Sequence, residues 1–305
     1  LIYTMSTNCG NVEIKDTKIN TVPNGVAFDV YGGFGDYSDV TVTVTGSSEI
    51  NGKIEVARDS GMQNKNTLNI NGGTINGELK IDSSIKPGDA TAITKTENVS
   101  LPAPSGYTWT KVGNTGVLVK EDSAAVVNGV GYTTLAAAIN AAGNDDTVTL
   151  LKDVTENVTI PAGKTITLDL NGKKLTNANG EDTITVALGA SLTVTGSGTV
   201  DNVTHGKADI YNNGTVILNG ESYTPSQEKG VDKDNSGGNS YYNILNHGIM
   251  TIGENVSVTS SGHFSSLIAN GYYNYSAKDP RSGYVSGTNQ ESPKLTINGG
   301  TFSGG

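Results

Sequence analysis

Four small groups of residues in this chain have types that chemistry could use. Gly143-Asn-Asp-Asp146 sets two carboxylates side by side, as general acid–base work on a sugar or an ester needs. Asp232, Asp234 and Ser236 alternate ahead of Gly237, which is how the first half of a calcium loop offers oxygen to its ion. His205, His247 and His263 are the three histidines. Tyr223, Tyr241, Tyr242, Tyr272, Tyr273, Tyr275 and Tyr284 crowd into one stretch, and a tyrosine ring gives a flat apolar face with a hydroxyl for packing on a sugar or a protein partner.

Each group has a plainer reading. The carboxylates at 145 and 146 directly follow a helical stretch, where such side chains bind their own backbone. The calcium pattern stops halfway: Asn243 stands at the twelfth position, where a bidentate glutamate closes such loops. No cofactor is therefore expected, and Ca2+ is the one ion for which the chain holds part of a ligand set. The histidines lack metal-site spacing. The tyrosines are the candidate ligand contacts; the plainer alternative is that their rings fold long loops back onto the body of the protein.

The elements that must position these residues repeat. Apolar residues alternate over three positions, a small polar residue and usually glycine follow, and another apolar residue comes about three positions later. The pattern occurs at Val42-Thr-Val-Thr-Gly46, Leu68-Asn-Ile-Asn-Gly72, Leu168-Asp-Leu-Asn-Gly172, Leu192-Thr-Val-Thr-Gly196, Val216-Ile-Leu-Asn-Gly220, Met250-Thr-Ile-Gly253 and Leu295-Thr-Ile-Asn-Gly299. A copy without glycine is Val12-Glu-Ile-Lys-Asp16. It describes a short strand with apolar side chains on one face and a sharp corner after it, where glycine and asparagine accept positive φ.

Start points lie 26 (42 to 68), 24 (168 to 192) and 24 (192 to 216) residues apart, the length of one three-strand rung of a solenoid. The expected fold is all-β, a parallel β-helix. The spacing then stretches to 34 (216 to 250) and 45 (250 to 295). This predicts corner insertions at about 221–243 and 262–294, stacked beside one another and carrying the tyrosines.

Composition agrees. The 40 glycines and the scarcity of methionine and aromatic residues suit many turns and short strands. A net charge of −10, with arginine only at 58 and 281, argues against nucleic acid, which needs clustered cations. No apolar run approaches the length of a membrane span, so no membrane insertion by this segment is expected. Cys9, the single cysteine, allows no internal disulfide.

Residues 97–121 break the repeat with Pro102, Pro104 and Trp109 and read as a hairpin closing the end of a solenoid. Residues 122–146 follow as a linker and a short capping helix at about 134–142. There Leu135-Ala-Ala-Ala-Ile139 supplies an apolar stripe, Thr133 or Thr134 a cap and Gly143 a stop. The expected organisation is thus 1–96, the later half of one β-solenoid; the cap; the helix; and 147–305, the first half of a second.

GYTTLAAAINAA followed by DDTVTLLKDVTENVTIPAGKTITLDLNGKKL resembles the N-terminal part of right-handed parallel β-helix, pectin-lyase-like repeat regions of large bacterial cell-surface and adhesin-like proteins. APSGYTWTKVGNTGVLVKE is similar to the tail that closes such regions. The resemblance implies secretion, an extracellular place on a cell surface, and an adhesive or structural role. Asn246-His247-Gly248 and Gly262-His263 are similar to histidine-glycine elements of polygalacturonase-like hydrolases, but the companion motifs of those enzymes are missing.

A solenoid end thus precedes a solenoid start. If a copy of Leu1 followed Gly305, the motifs at 295 and 12 would lie 22 residues apart, within rung length. The expectation is a non-enzymatic stalk, filament or adhesin segment, one period of a tandem or end-to-end array. Its partners would be other copies of itself and host or bacterial glycans or surface proteins. The alternative is a glycan-active β-helix enzyme, a lyase or hydrolase, which would need carboxylates converging from adjacent strands.

Overall fold

The computed structural model describes residues 3–7, 9–32, 38–58, 64–86, 89, 91–204, 206–224, 241–260, 265–271, 287, 289–290 and 292–304. With 52% of the described residues in strands and 3% in helix, the chain is all-β, and its sheets are mostly parallel. It divides into two compact units, Leu1–Thr133 and Thr134–Gly305.

In the first unit three kinds of strand follow one another in fixed rotation. Tyr3–Met5, Val26–Tyr31, Lys53–Ala57 and Leu79–Ile81 line up in one sheet. Gly10–Lys15, Val40–Thr45, Asn66–Ile70 and Thr91–Thr96 form a second, and Lys18–Asn20, Glu49–Asn51 and Thr74–Ile75 a third. Every neighbour in these three series is parallel. The period-two pattern sets what each strand buries: Val40–Thr45 hides its three valines and leaves its three threonines half exposed. The register then stacks like on like, with Ile14 beside Val44 beside Ile70, and Val42 beside Leu68 beside Ile93. All six are buried, each worth roughly 1.5–3 kcal/mol against exposure.

Corners follow the expected chemistry in some copies and depart from it in others. Gly46 takes φ +63°, and a Cβ there would stand 2.2 Å from Oδ1 of Asp16, which accepts the Ser47 backbone N–H at 2.9 Å. After Leu68-Asn-Ile-Asn, however, the left-handed residue is Gly73 rather than Gly72, after Leu295-Thr-Ile-Asn it is Gly300 rather than Gly299, and Gly253 is not left-handed.

The parallel series stops at Thr91–Thr96. There Thr115–Lys120 pairs antiparallel, and Tyr107–Val112 pairs antiparallel to it in turn, within the segment read as a closing hairpin. The hairpin gives the last parallel strand a partner that adds no further parallel edge. Trp109 packs against the core, with the Lys95 ammonium 5.4 Å from its ring centroid. A second hairpin, Ala125–Val127 with Val130–Tyr132, turns through Asn128 and Gly129, both at positive φ.

The second unit repeats the rotation. One sheet runs Asp146–Leu150, Thr165–Asp169, Ser191–Thr195, Thr215–Leu218, Ile249–Ile252, Lys294–Ile297. The next runs Val154–Thr155, Lys173–Thr176, Gly198–Asp201, Ser222–Thr224, Ser257–Thr259, Thr301–Ser303, and the third Val158–Ile160, Ile184–Val186, Ile210–Asn212, Tyr241–Asn246, Ser265–Asn270. Val148, Leu168, Val194, Leu218 and Ile252 form one fully buried column through the first of these sheets.

The two long connections differ from the sequence expectation. The first joins Ser222–Thr224 to Tyr241–Asn246, crossing from second sheet to third. The second joins Ser265–Asn270 to Lys294–Ile297, crossing from third to first. The strands they join place them at different crossings. The strand Ser265–Asn270, expected inside the second insertion, instead pairs regularly with Tyr241–Asn246.

The only helix among the described residues, Leu135–Ala141, buries Leu135, Ala138 and Ile139. Oγ1 of Thr134 accepts the Ala137 N–H at 3.1 Å. The Glu156 carboxylate accepts from Leu135 and Ala136 at 2.9 and 3.0 Å, so an anion meets the positive end of the helix. At the other end Nζ of Lys164 donates to the carbonyls of Ile139, Asn140 and Ala142 at 2.8, 2.9 and 2.7 Å. The helix leaves the helical conformation at Ala142 rather than Gly143. Lys164→Met leaves three carbonyls without this donor and is expected to cost about 1–2 kcal/mol. A urea midpoint unchanged from the parent protein would show that the ammonium does not hold the helix.

Candidate functional site

The residues singled out from sequence do not converge on one site. Tyr272, Tyr273, Tyr275 and Tyr284 lie outside the described residues, as do Asp232, Asp234 and Ser236 of the half calcium loop. Tyr241 and Tyr242 belong to the third-sheet strand 241–246, with Tyr242 half-buried. Tyr223 is a correction: its side chain is fully buried, because it follows the inward-facing alternation of Ser222–Thr224, and its ring is closed to any ligand. At the exit of the helix, Oδ2 of Asp146 accepts the Gly143 N–H at 2.7 Å, so this carboxylate binds local backbone.

His205 and His263 lie outside the described residues. His247 is buried, packs edge-on to Tyr211 and has Nδ1 3.0 Å from the Asn289 amide, which also reaches Asn213 at 2.5 Å. That cluster ties Asn289 of the second long connection to two successive strand ends. Among the described residues no group of three or more His, Cys, Asp or Glu side chains is placed to hold a metal ion.

The most concentrated polar arrangement lies in the first unit, where the sequence reading named no candidate. Asp29, Glu55 and Lys80 stand in register on adjacent strands of one sheet. Their apolar neighbours Phe28, Val30, Ile54, Val56 and Leu79 point into the core, so the charged column points outward. Segment 3–7, whose strand Tyr3–Met5 pairs beside Val26–Tyr31 in the same sheet, supplies donors to it. Oγ of Ser6 donates to both Asp29 oxygens at 2.9 and 3.0 Å, the Thr7 N–H adds a third bond at 2.9 Å, and the Tyr3 hydroxyl donates to Glu55 at 2.6 Å. The Lys80 ammonium meets the other Glu55 oxygen at 2.5 Å.

These surroundings push the two carboxyls in opposite directions. Burial raises Asp29 above the usual carboxylate range against its Thr7 and Ser6 bonds, with the Glu55 charge adding to the rise. Burial also acts to raise Glu55, but the Lys80 and Tyr3 hydrogen bonds outweigh it and hold that carboxyl below its usual value. A neighbouring acid and base of this kind is what acid–base chemistry uses. Here the donors of the chain itself occupy both groups, and Asp29 and Glu55 are only 7% and 5% exposed. The signal was present in the sequence as Phe28-Asp-Val30, Ile54-Glu-Val56 and Leu79-Lys-Ile81, a charge between two core residues three times over.

A second acidic group lies inside the second unit: Asp201, Asp209 and Glu221 are each at most 1% exposed. Lys174 pairs with Asp201 at 2.6 Å. Burial, with the Asp201 charge added, drives Asp209 well above the usual carboxylate range, and burial pushes Glu221 up to about 8. Polar residues at these inner corners break the apolar pattern singly, so no periodic signal marks them.

The Tyr3–Glu55 contact can be read directly. The hydrogen bond to Glu55, helped by burial, pushes the Tyr3 hydroxyl up to about 12. In a spectrophotometric titration, the difference between the protein and its Tyr3→Phe variant is expected near that pH. With Glu55→Gln as background the difference should fall toward about 10; no movement would place the cause elsewhere. Compared with known proteins, the chain matches no family model, no curated protein and no solved structure.

Proposed function

We propose that the chain winds as a parallel β-helix and serves as a non-enzymatic, extracellular segment of a cell-surface protein, a stalk, filament or adhesin. The observation that carries this reading is the strand rotation: in both units each parallel strand pairs with the strand three places on. A wall of that kind grows by repetition and offers repeated outer positions, as surface presentation requires. The sequence resemblance to bacterial β-helix repeat regions supplies the cell-surface part. An array of copies, in tandem or end to end, belongs to the same proposal.

Ligand contact in this reading belongs to Tyr241, Tyr242, Tyr272, Tyr273, Tyr275 and Tyr284, without the buried Tyr223. Calcium is no part of it. The test is binding of the chain to panels of glycans, mucins and surface proteins. Changing Tyr241, Tyr242, Tyr272 and Tyr273 together to Ala is expected to lower affinity at least tenfold while the far-ultraviolet dichroism keeps its strand signature. Retained affinity would move the contact elsewhere, and silence on every panel would leave a spacer without a ligand.

One observation favours a second reading, a glycan-active enzyme: Asp29 and Glu55 stand on adjacent strands with their acidities driven apart. Turnover of neutral or acidic polysaccharides, followed by new reducing ends and by unsaturated products, would support it only if Asp29→Asn and Glu55→Gln each abolished the activity. Absence of products from the unaltered chain refutes it.

A further inference from the structure

Two buried acids of the second unit sit where the strands Ser222–Thr224 and Tyr241–Asn246 are tied together, and Asn243 is the knot. Its side-chain amide donates to the carbonyls of Tyr223 and Thr259 at 3.1 and 2.9 Å. Its own carbonyl accepts the Asp209 N–H at 2.8 Å. The Tyr223 hydroxyl lies 3.5 Å from Oε2 of Glu221, whose Oε1 has no hydrogen-bond partner, and whose backbone carbonyl accepts the Ser257 N–H at 2.8 Å. Neither carboxylate oxygen of Asp209 has a well-formed hydrogen bond. Glu221, Tyr223, Asp209 and Asn243 are at most 1% exposed.

Other carboxylates crowd both acids. Burial of Glu221 outweighs the backbone N–H groups of Glu221 and Asn219 and the Tyr223 hydroxyl that favour its charge, and Asp169 adds to the rise. Asp201 and Asp182 act on Asp209, with the Asn202 backbone and the Asn243 amide on its favourable side. The nearby amine, Lys174, is engaged by Asp201. An ionised carboxylate in such a place lacks both water and a cation, so the closed arrangement requires the neutral acid.

We propose that Glu221, Tyr223, Asp209 and Asn243 form a proton-operated lock: while the acids keep their protons the strands Ser222–Thr224 and Tyr241–Asn246 stay closed against their neighbours, and loss of the Glu221 proton loosens them. The pH sense follows from linkage. Glu221 ionises near 4.5 when unfolded and at about 8 in place, so its contribution is complete below about 4.5 and declines as pH rises toward 8. Asp209 shifts in the same direction. The lock therefore tightens in acid and opens in mild alkali, opposite to the usual acid denaturation of proteins with paired carboxylates. It lies beside the strand that carries Tyr241 and Tyr242, so proton activity would govern how firmly that wall is held.

Hydrogen exchange on the full chain, read by mass spectrometry at pH 6 and pH 9 and corrected for intrinsic amide rates, tests the lock. Peptides covering 222–224 and 241–246 are expected to lose at least tenfold more protection between the two pH values than peptides covering 165–169 and 191–195. Glu221→Gln should remove that excess, whereas Glu181→Gln, which alters an exposed carboxylate paired with Lys207, should leave it intact. An excess that persists in Glu221→Gln overturns the proposal. If Glu221→Gln does not fold, Asp209→Asn and the unaltered chain decide: equal loss of protection in all four regions of the unaltered chain overturns it.

Discussion

Everything in this structure depends on the in-register parallel pairing of strands that recur every third element. Such pairing gives each side chain the same neighbour above and below, so a residue type that fits once fits along the whole column. Val148, Leu168, Val194, Leu218 and Ile252 are one such column, and Ile14, Val44 and Ile70 another. The same constraint sets the corners. Strands of two to six residues must turn at once, and successive turns pass so close that a Cβ at Gly77 would stand 1.8 Å from the Gly52 carbonyl oxygen. The corner glycines are therefore a packing requirement as much as a matter of φ.

Columns also decide which polar residues the interior accepts. An asparagine both donates and accepts, so it can stack on its own kind. Asn212 donates to Asn246 at 2.7 Å, and Asn246 donates to Asn270 at 2.6 Å; at the exposed surface Asn51 donates to Asn20 and Asn76 to Asn51 in the same way. Each buried bond adds roughly 1 kcal/mol. A column of carboxylates has no such option, because identical anions repel. The first unit meets this by putting Lys80 and the Tyr3 hydroxyl beside Glu55 on the outer face. The second unit places Asp209 and Glu221 inside, where burial favours the neutral form of each.

The sequence announced the repeat, the alternation and the helix because each is periodic or local: three valines among threonines at 40–45, a threonine cap with alanines behind it at 134–138. It could not place the long connections. Their presence showed as stretched spacing, but that spacing was measured between successive first-sheet strands, and such a measure cannot tell which of three crossings holds the extra residues. Hence 265–270 read as insertion although it is an ordinary strand. Tyr223 misled for a related reason: ring type was legible, but its side of the strand depended on where Ser222–Thr224 began. The charged column at 29, 55 and 80 lies off the glycine motif, which marks a different sheet.

The placement of charge bears on what this kind of wall can do. In the outer column of the first unit, hydrogen bonds from Ser6, Thr7, Tyr3 and Lys80 already use the carboxylate oxygens that a substrate would have to engage. In the interior of the second unit the acids face Tyr223 and asparagine, with no opening to solvent. Chemistry needs a charged group that is both activated and reachable, and Asp29, Glu55, Asp209 and Glu221 are each at most 7% exposed. Burial raises Asp29, Asp209 and Glu221, and hydrogen bonds from Lys80 and Tyr3 outweigh it at Glu55, so the shifts follow from how charge is placed in the stack. The surface-presenting reading rests on outer positions along the strands, where the repeat leaves side chains free to vary without disturbing a column.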